Sequence, residues 1–204
     1  VGADGGSHQQ IEDIAIMRAI PNLTVLIPAD TIAVSKLTWI MSQRYGPHYM
    51  RMARSATPLV HQESQDFEIG KGIVLRDGTD CTIAACGITV KMALDAADSL
   101  KKEKISCRVF DGFSIKPIDE NLLEKAARDT GAIVTCEEHN VMGGFGSAVS
   151  EVVSERYPVP IKRVGVQDKF GESARDNEIP LLLEKYGISS INITKAVKEA
   201  RSRK

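Results

Sequence analysis

The chain has 204 residues, 43% hydrophobic and 26% charged, a composition that supports one or two packed cores and argues against a disordered segment. Twenty-six basic side chains nearly balance twenty-seven acidic ones, so no net field points to nucleic acid or an anionic membrane, and the few aromatics form no basic, stacking stripe. No apolar run approaches the roughly 20 residues that cross a bilayer, and the first residues do not read as a signal peptide, so the expectation is a cytoplasmic protein that meets a small ligand or another protein.

The opening Gly2-Ala3-Asp4-Gly5-Gly6-Ser7-His8 is a glycine-rich turn with no strand ahead of it, which reads as a chain whose beginning is cut away. Its glycines let the backbone approach a ligand closely, and Asp4 and His8 lie four residues apart. A carboxylate supplies fixed acceptors for hydroxyls, and an imidazole donates or relays a proton near neutral pH. Spacing alone equally allows Asp4 as a turn residue, Ser7 as a helix cap and His8 as a bystander.

From Gln9 the pattern predicts a short helix with Ile11, Ile14 and Met17 or Ala15 on one face, stopped at Pro21-Asn22. Thr24 to Ile27 reads as a strand ending at Pro28, and Asp30 as the N-cap of a helix reaching about Arg44. Gly46-Pro47 breaks that helix, and His48 to Ala53 reads as a further strand. Arg54 closes it, at the kind of strand end where α/β sheets present ligand groups, and its planar donor fork suits a phosphate. Without other information such an arginine is a surface residue. Arg51 is the competing candidate, with a structural salt bridge as its alternative role.

Between about Ser55 and Glu68 the sequence turns polar and irregular, which divides the chain into a partial domain at 1–58, a linker at 59–66 and a second domain at 67–204. Downstream, Ile73 to Leu75, Cys81 to Cys86, Ser106 to Phe110, Ile133 to Cys136 and Ile161 to Val166 read as strands. Helices are expected from Thr89 to Lys102, with Met92, Ala93, Ala96, Ala97 and Leu100 on its apolar face, from Asp119, an N-cap after Pro117, to Arg128, and after Gly146 through Val153. Strands alternating with helices predict an α/β fold, with a partial α/β domain followed by a complete, doubly wound and mainly parallel one.

Cys81, Cys86, Cys107 and Cys136 sit in or beside strands without C-x-x-C spacing and are expected as reduced core residues. Met142-Gly143-Gly144-Phe145-Gly146-Ser147 opens a helix after a strand. Its amides could face an anion, but it lacks the full dinucleotide fingerprint and reads better as a close-packing turn. Glu137, Glu138 and His139 are neighbours on a strand end and point in opposing directions, which disfavours a metal site. Lys198 to Lys204 reads as a charged, solvent-facing and frayed helix end.

The phrase Gly2-x-Asp4-Gly5-x-Ser7-His8-Gln9, with Glu12-Asp13, Arg18-Ala19-Ile20-Pro21-Asn22, Pro28-Ala29-Asp30 and Tyr49-Met50-Arg51-x-x-Arg54, resembles the end of the pyrimidine-binding domain of transketolases. The resemblance continues through Lys101 to Ile105, Phe113-Ser114-Ile115-Lys116-Pro117-Ile118-Asp119, Glu137-Glu138-His139 and Gly143-Gly144-x-Gly146, and so covers nearly the whole chain. It implies a thiamine-diphosphate and Mg-dependent transferase of carbohydrate metabolism, in the pentose phosphate pathway, that moves a two-carbon ketol unit from a ketose phosphate to an aldose phosphate. By the same resemblance Asp4 binds a donor-sugar hydroxyl, and His8 contacts the oxygen substituents of the reacting carbon and helps move protons. Arg54 holds the sugar phosphate.

No cofactor or metal ligand is expected in this chain. The glutamate and aromatic platform that serve the aminopyrimidine belong to an upstream segment, and the diphosphate and metal site to an N-terminal diphosphate-binding domain or subunit. The chain alone is therefore expected to be inactive, working with that partner in an assembly that is at least a homodimer through its α/β domains, and binding neither nucleic acid nor membrane. The relatives 1-deoxyxylulose-5-phosphate synthase and the beta-type subunits of 2-oxoacid dehydrogenases are alternatives, as is a non-catalytic assembly or regulatory domain. His8-Gln9, where the synthase has two consecutive histidines, and the Phe113 to Ile118 phrase favour transketolase.

Overall fold

The structure is a computed structural model that describes residues 8, 10–54, 56–175 and 178–204; Asp4 lies outside the described residues. The chain begins with α1 (Asp13–Ala19), β1 (Thr24–Leu26), α2 (Thr31–Ser42) and β2 (His48–Met50). It continues through β3 (Ile73–Arg76), β4 (Cys81–Ala85), α3 (Thr89–Lys102), β5 (Cys107–Asp111), β6 (Ser114–Lys116) and α4 (Glu120–Thr130). It ends with β7 (Ile133–Asn140), α5 (Phe145–Arg156), β8 (Ile161–Val166), α6 (Ile179–Lys185) and α7 (Ser190–Arg201).

The main sheet has the order β3-β5-β4-β7-β8, parallel throughout except for β3, which pairs antiparallel with β5. Period-two alternation explains how it is covered on both faces. Along β4, Cys81, Ile83 and Ala85 enter one core, while Ala84 and Cys86 enter the other. The first core is closed by Ala93, Ala96, Ala97 and Leu100 of α3 and by Ile193, Ala196, Val197 and Ala200 of α7. The second is closed by Leu123 and Ala127 of α4 and by Phe145, Ala148, Val149 and Val153 of α5. All four cysteines are buried and free, and burial raises their thiol pKa values, so they act as small core residues.

A second sheet of three strands, β2-β1-β6, joins the two halves of the chain. β1 pairs parallel with β2 and antiparallel with β6, which comes from the C-terminal half. The second core is likewise shared, because Ile14, Leu23, Val25 and Ile27 pack in it with Phe110 and Phe145.

Several expectations change in detail. The first helix starts at Asp13 rather than Gln9, because the Ile11 carbonyl accepts a hydrogen bond from the Asn140 amide of β7 at 2.8 Å instead of turning into a helix. The strand expected at 48–53 stops at Met50, although the Arg51 amide still donates to the Leu26 carbonyl. The charged end at 198–204 is not frayed through its length. α7 runs to Arg201, Ala200 is fully buried, and Arg201 pairs with Asp80 at 3.3 Å, leaving residues 202–204 exposed beyond it.

Candidate functional site

The loop that carries His8 and Gln10 and the strand end that carries Arg51 and Arg54 come together in an open concavity of about 320 Å³. Asp13, Tyr49 and Glu138 complete its polar wall. His8 and Arg54, both exposed, therefore lie on the same cleft, at the end of β2 where the chain leaves the smaller sheet.

Arg51 has a different situation, with only 12% of its side chain exposed. Its Nε donates to Asp13 and its Nη1 to Glu138, each at 3.1 Å, while Nη2 donates at 2.9 Å to the carbonyls of both Gln10 and Glu138. Burial works against its charge, but Glu138 and Asp13 outweigh that and hold the guanidinium protonated. The Tyr49 hydroxyl donates to Asp13 Oδ2 at 2.7 Å, and burial beside that carboxylate raises its pKa. Of the two arginines weighed for an anion, Arg51 is thus occupied by four acceptors of the protein itself.

The neighbours of Glu138 show why the three consecutive polar residues of β7 are not a metal cluster. Glu137 takes the amides of Phe145 and Gly146 at 2.6 and 2.9 Å and so fills the N-terminus of α5 with its own carboxylate. A Cβ at Gly144 would overlap that carboxylate, and one at Gly146 would lie 2.5 Å from Thr135 Oγ1, so the glycine turn is a close-packing device. His139 Nδ1 donates to the Asn140 carbonyl at 2.6 Å, which leaves Nε2 to accept from the Ala15 amide at 3.5 Å; burial lowers its pKa and keeps it neutral. The three side chains serve three separate purposes.

A second polar cluster, not foreseen from the sequence, crosses the expected linker. His61 is buried, with Nδ1 at 3.1 Å from Asp30 Oδ2 and Nε2 at 3.3 Å from Asp111 Oδ2. Burial opposes the charge on His61, yet the two carboxylates raise its pKa, while the Asp111 pKa is pushed by burial up to about 6. Asp30 also accepts from the Ala33 amide, as the predicted cap of α2, and from the amides of Val60 and His61, and these bonds lower its pKa despite burial.

The N-termini of α2, α4, α5 and α7 already take oxygens of Asp30, Asp119, Glu137 and Ser189. Among the described residues no group of three or more His, Cys, Asp and Glu is arranged to hold a metal ion. No described helix is long and apolar enough to cross a membrane.

Comparison with known proteins matches residues 70–193 to the family model "Transketolase, C-terminal domain" and residues 1–60 to "Transketolase, pyrimidine binding domain". The chain is 39% identical over 201 residues to a 6-deoxy-6-sulfo-D-fructose transketolase subunit of Clostridium sp. (strain MSTE9), covering 98% of this chain and 62% of that protein. It is 39% identical over 200 residues to an apulose-4-phosphate transketolase subunit of Phocaeicola vulgatus, covering 97% and 62%. A solved structure described as "Split gene transketolase, inactive beta4 tetramer" superimposes with a TM-score of 0.92 at 47% identity, covering 98% of this chain and 64% of that one. The chain thus spans under two thirds of the length of these relatives.

Proposed function

The chain belongs to the transketolase family, as a C-terminal part, and on that premise we propose that it carries the donor-substrate side of a thiamine-diphosphate-dependent enzyme that transfers a two-carbon ketol unit between phosphorylated sugars. The observation that carries this reading is the placing of His8 and Arg54 on one open cleft, beside an Arg51 already neutralised by Asp13 and Glu138. In that cleft the Arg54 fork binds the sugar phosphate in bidentate fashion. His8 contacts the hydroxyls near the reacting carbon and holds or moves a proton there, and Asp4 takes a donor hydroxyl.

Thiamine diphosphate with Mg supplies the carbon chemistry when bound. We assign its site to an N-terminal diphosphate-binding domain or subunit and to the segment upstream of Val1, in an assembly containing at least two copies of this chain. We further assign the enzyme to the cytoplasm and to pentose phosphate interconversion. The two named relatives act on other ketoses, which makes the sugar specificity a separate question from the ketol-transfer chemistry.

The test is ketol transfer from xylulose 5-phosphate to ribose 5-phosphate in the complete assembly, read as sedoheptulose 7-phosphate. Arg54→Ala is expected to raise KM for the phosphorylated donor at least about tenfold, the loss of a charge-assisted pair, and His8→Ala to lower kcat by about 100-fold. Unchanged turnover in both variants would leave this chain a non-catalytic assembly domain, and condensation of pyruvate with glyceraldehyde 3-phosphate instead would move the enzyme to the synthase relatives.

A further inference from the structure

The Arg51 arrangement links the cleft to the half of the chain that carries neither His8 nor Arg54. Three acceptors on Arg51 come from different places in the sequence: Gln10 on the His8 loop, Asp13 at the start of α1, and Glu138 on β7 of the large sheet. Glu138 holds the guanidinium twice, through its carboxylate at 3.1 Å and through its carbonyl at 2.9 Å. The same guanidinium then holds the Gln10 carbonyl, two residues beyond His8, and the Asn140 amide holds the Ile11 carbonyl one residue further along.

The loop in front of α1 is therefore fixed from β7 at two places, by Glu138 through Arg51 and by the Asn140 amide directly. The guanidinium's donors lie on three nitrogens in a rigid plane and so meet spread acceptors on three segments in fixed directions, whereas an ammonium offers its three donors from one nitrogen and cannot match those positions. The main sheet is a rigid element, and sites supported by rigid elements hold their side chains more tightly than loops do. Glu138 also lines the cleft itself, so it is the contribution of the C-terminal half to the site.

We propose that Glu138 and Arg51 are positioning residues for the ketol-transfer site: Glu138 orients Arg51, and Arg51 fixes the loop that presents His8. This rests on the reading of the cleft as the donor-sugar site. Neither residue touches the transferring carbon, and the pair assigns the C-terminal domain a direct part in organising catalysis.

The test uses the complete assembly with its cofactor, xylulose 5-phosphate as donor and ribose 5-phosphate as acceptor, at a temperature well below the melting of every variant. Arg51→Lys and Glu138→Gln each are expected to lower kcat between about 10- and 100-fold through misplacement of His8, with KM for the donor changed less than about threefold because Arg54 is retained. The double variant is expected to be no slower than the worse single one, since both changes break the same chain of contacts. Glu138→Gln preserves shape and the backbone carbonyl, so it remains informative should Arg51→Lys fold poorly. Unchanged kcat in folded Glu138→Gln and Arg51→Lys, with only a lowered melting temperature, would overturn the proposal and leave the pair as structural. Arg54→Ala in the same assay separates the two readings: normal donor KM there removes the cleft assignment, whereas a raised KM with normal kcat in the Arg51 and Glu138 variants removes only the positioning role.

Discussion

Glu137 is fully buried in β7, and it gives the fold a charge that water hardly reaches. Burial raises its pKa to about 7, and the two amides of α5 that it accepts from offset only part of that cost. Since the folded-state pKa lies above the ordinary value of 4.5, protonation favours the native state. The stability so gained is complete below about pH 4.5 and is lost as the pH rises through 7, by up to about 1.4 kcal/mol per pH unit for one proton. Asp111, with a pKa of about 6, acts in the same direction. Glu137→Gln is therefore expected to flatten, without abolishing, the fall in unfolding free energy between pH 4.5 and 7, measured by urea denaturation across that range. At the same scale the sequence was informative about residue type and silent about partners. Helix-capping aspartates were legible at 30 and 119 because the cap is local, whereas His61 read as one polar residue of a linker. Its burial depends on Asp30 and Asp111 meeting around it from positions 31 and 50 residues away.

Among the elements, α2 and α4 begin alike but are held differently. Asp119 caps α4 through the Leu122 amide at 3.0 Å and takes the Gly72 amide at 3.2 Å. Asp30 caps α2 through the Ala33 amide and in addition anchors Val60 and His61, so that the segment between the halves is tied to α2 with His61 buried. Lys36 of α2 reinforces this by donating to the Gln65 carbonyl at 2.7 Å. Asp119→Ala is expected to cost about 1 kcal/mol, the usual loss of a cap. Asp30→Ala should cost roughly 3 kcal/mol, because a part-buried amide, a buried amide and a buried histidine also lose their acceptor. Chemical denaturation compares the two, and limited proteolysis should cut within 56–66 faster only in Asp30→Ala. α1 is secured by the same logic of long-range contacts, with Arg18 donating to the Gly143 carbonyl at 2.7 Å and pairing with Glu151 at 2.5 Å.

For the whole molecule, the protein's own oxygens fill the N-termini of α2, α4, α5 and α7, while α3 has no side-chain cap. On the proposed division of the assembly, the isolated chain is expected to show no binding of thiamine diphosphate with Mg in titration calorimetry, and to acquire it only in complex with a diphosphate-binding partner. Stoichiometric binding by the chain alone would contradict this assignment of the cofactor. The α/β class, the five strands of the main sheet, α3 and α4, and the family are all legible along the chain. These follow from apolar periodicity and from short motifs, both of which are written in consecutive residues. Folding, by contrast, was needed to show that β6, three residues long, pairs with β1 to knit the halves together, since a pairing between segments so far apart in sequence is not written in either one. It likewise decided that Arg51 is spent on Asp13 and Glu138, 38 and 87 residues away, while Arg54 lies on the cleft with His8. The reason is physical: an element's buried face is fixed by its own backbone geometry, but the partner of a charge is fixed by where the folded chain carries every other charge.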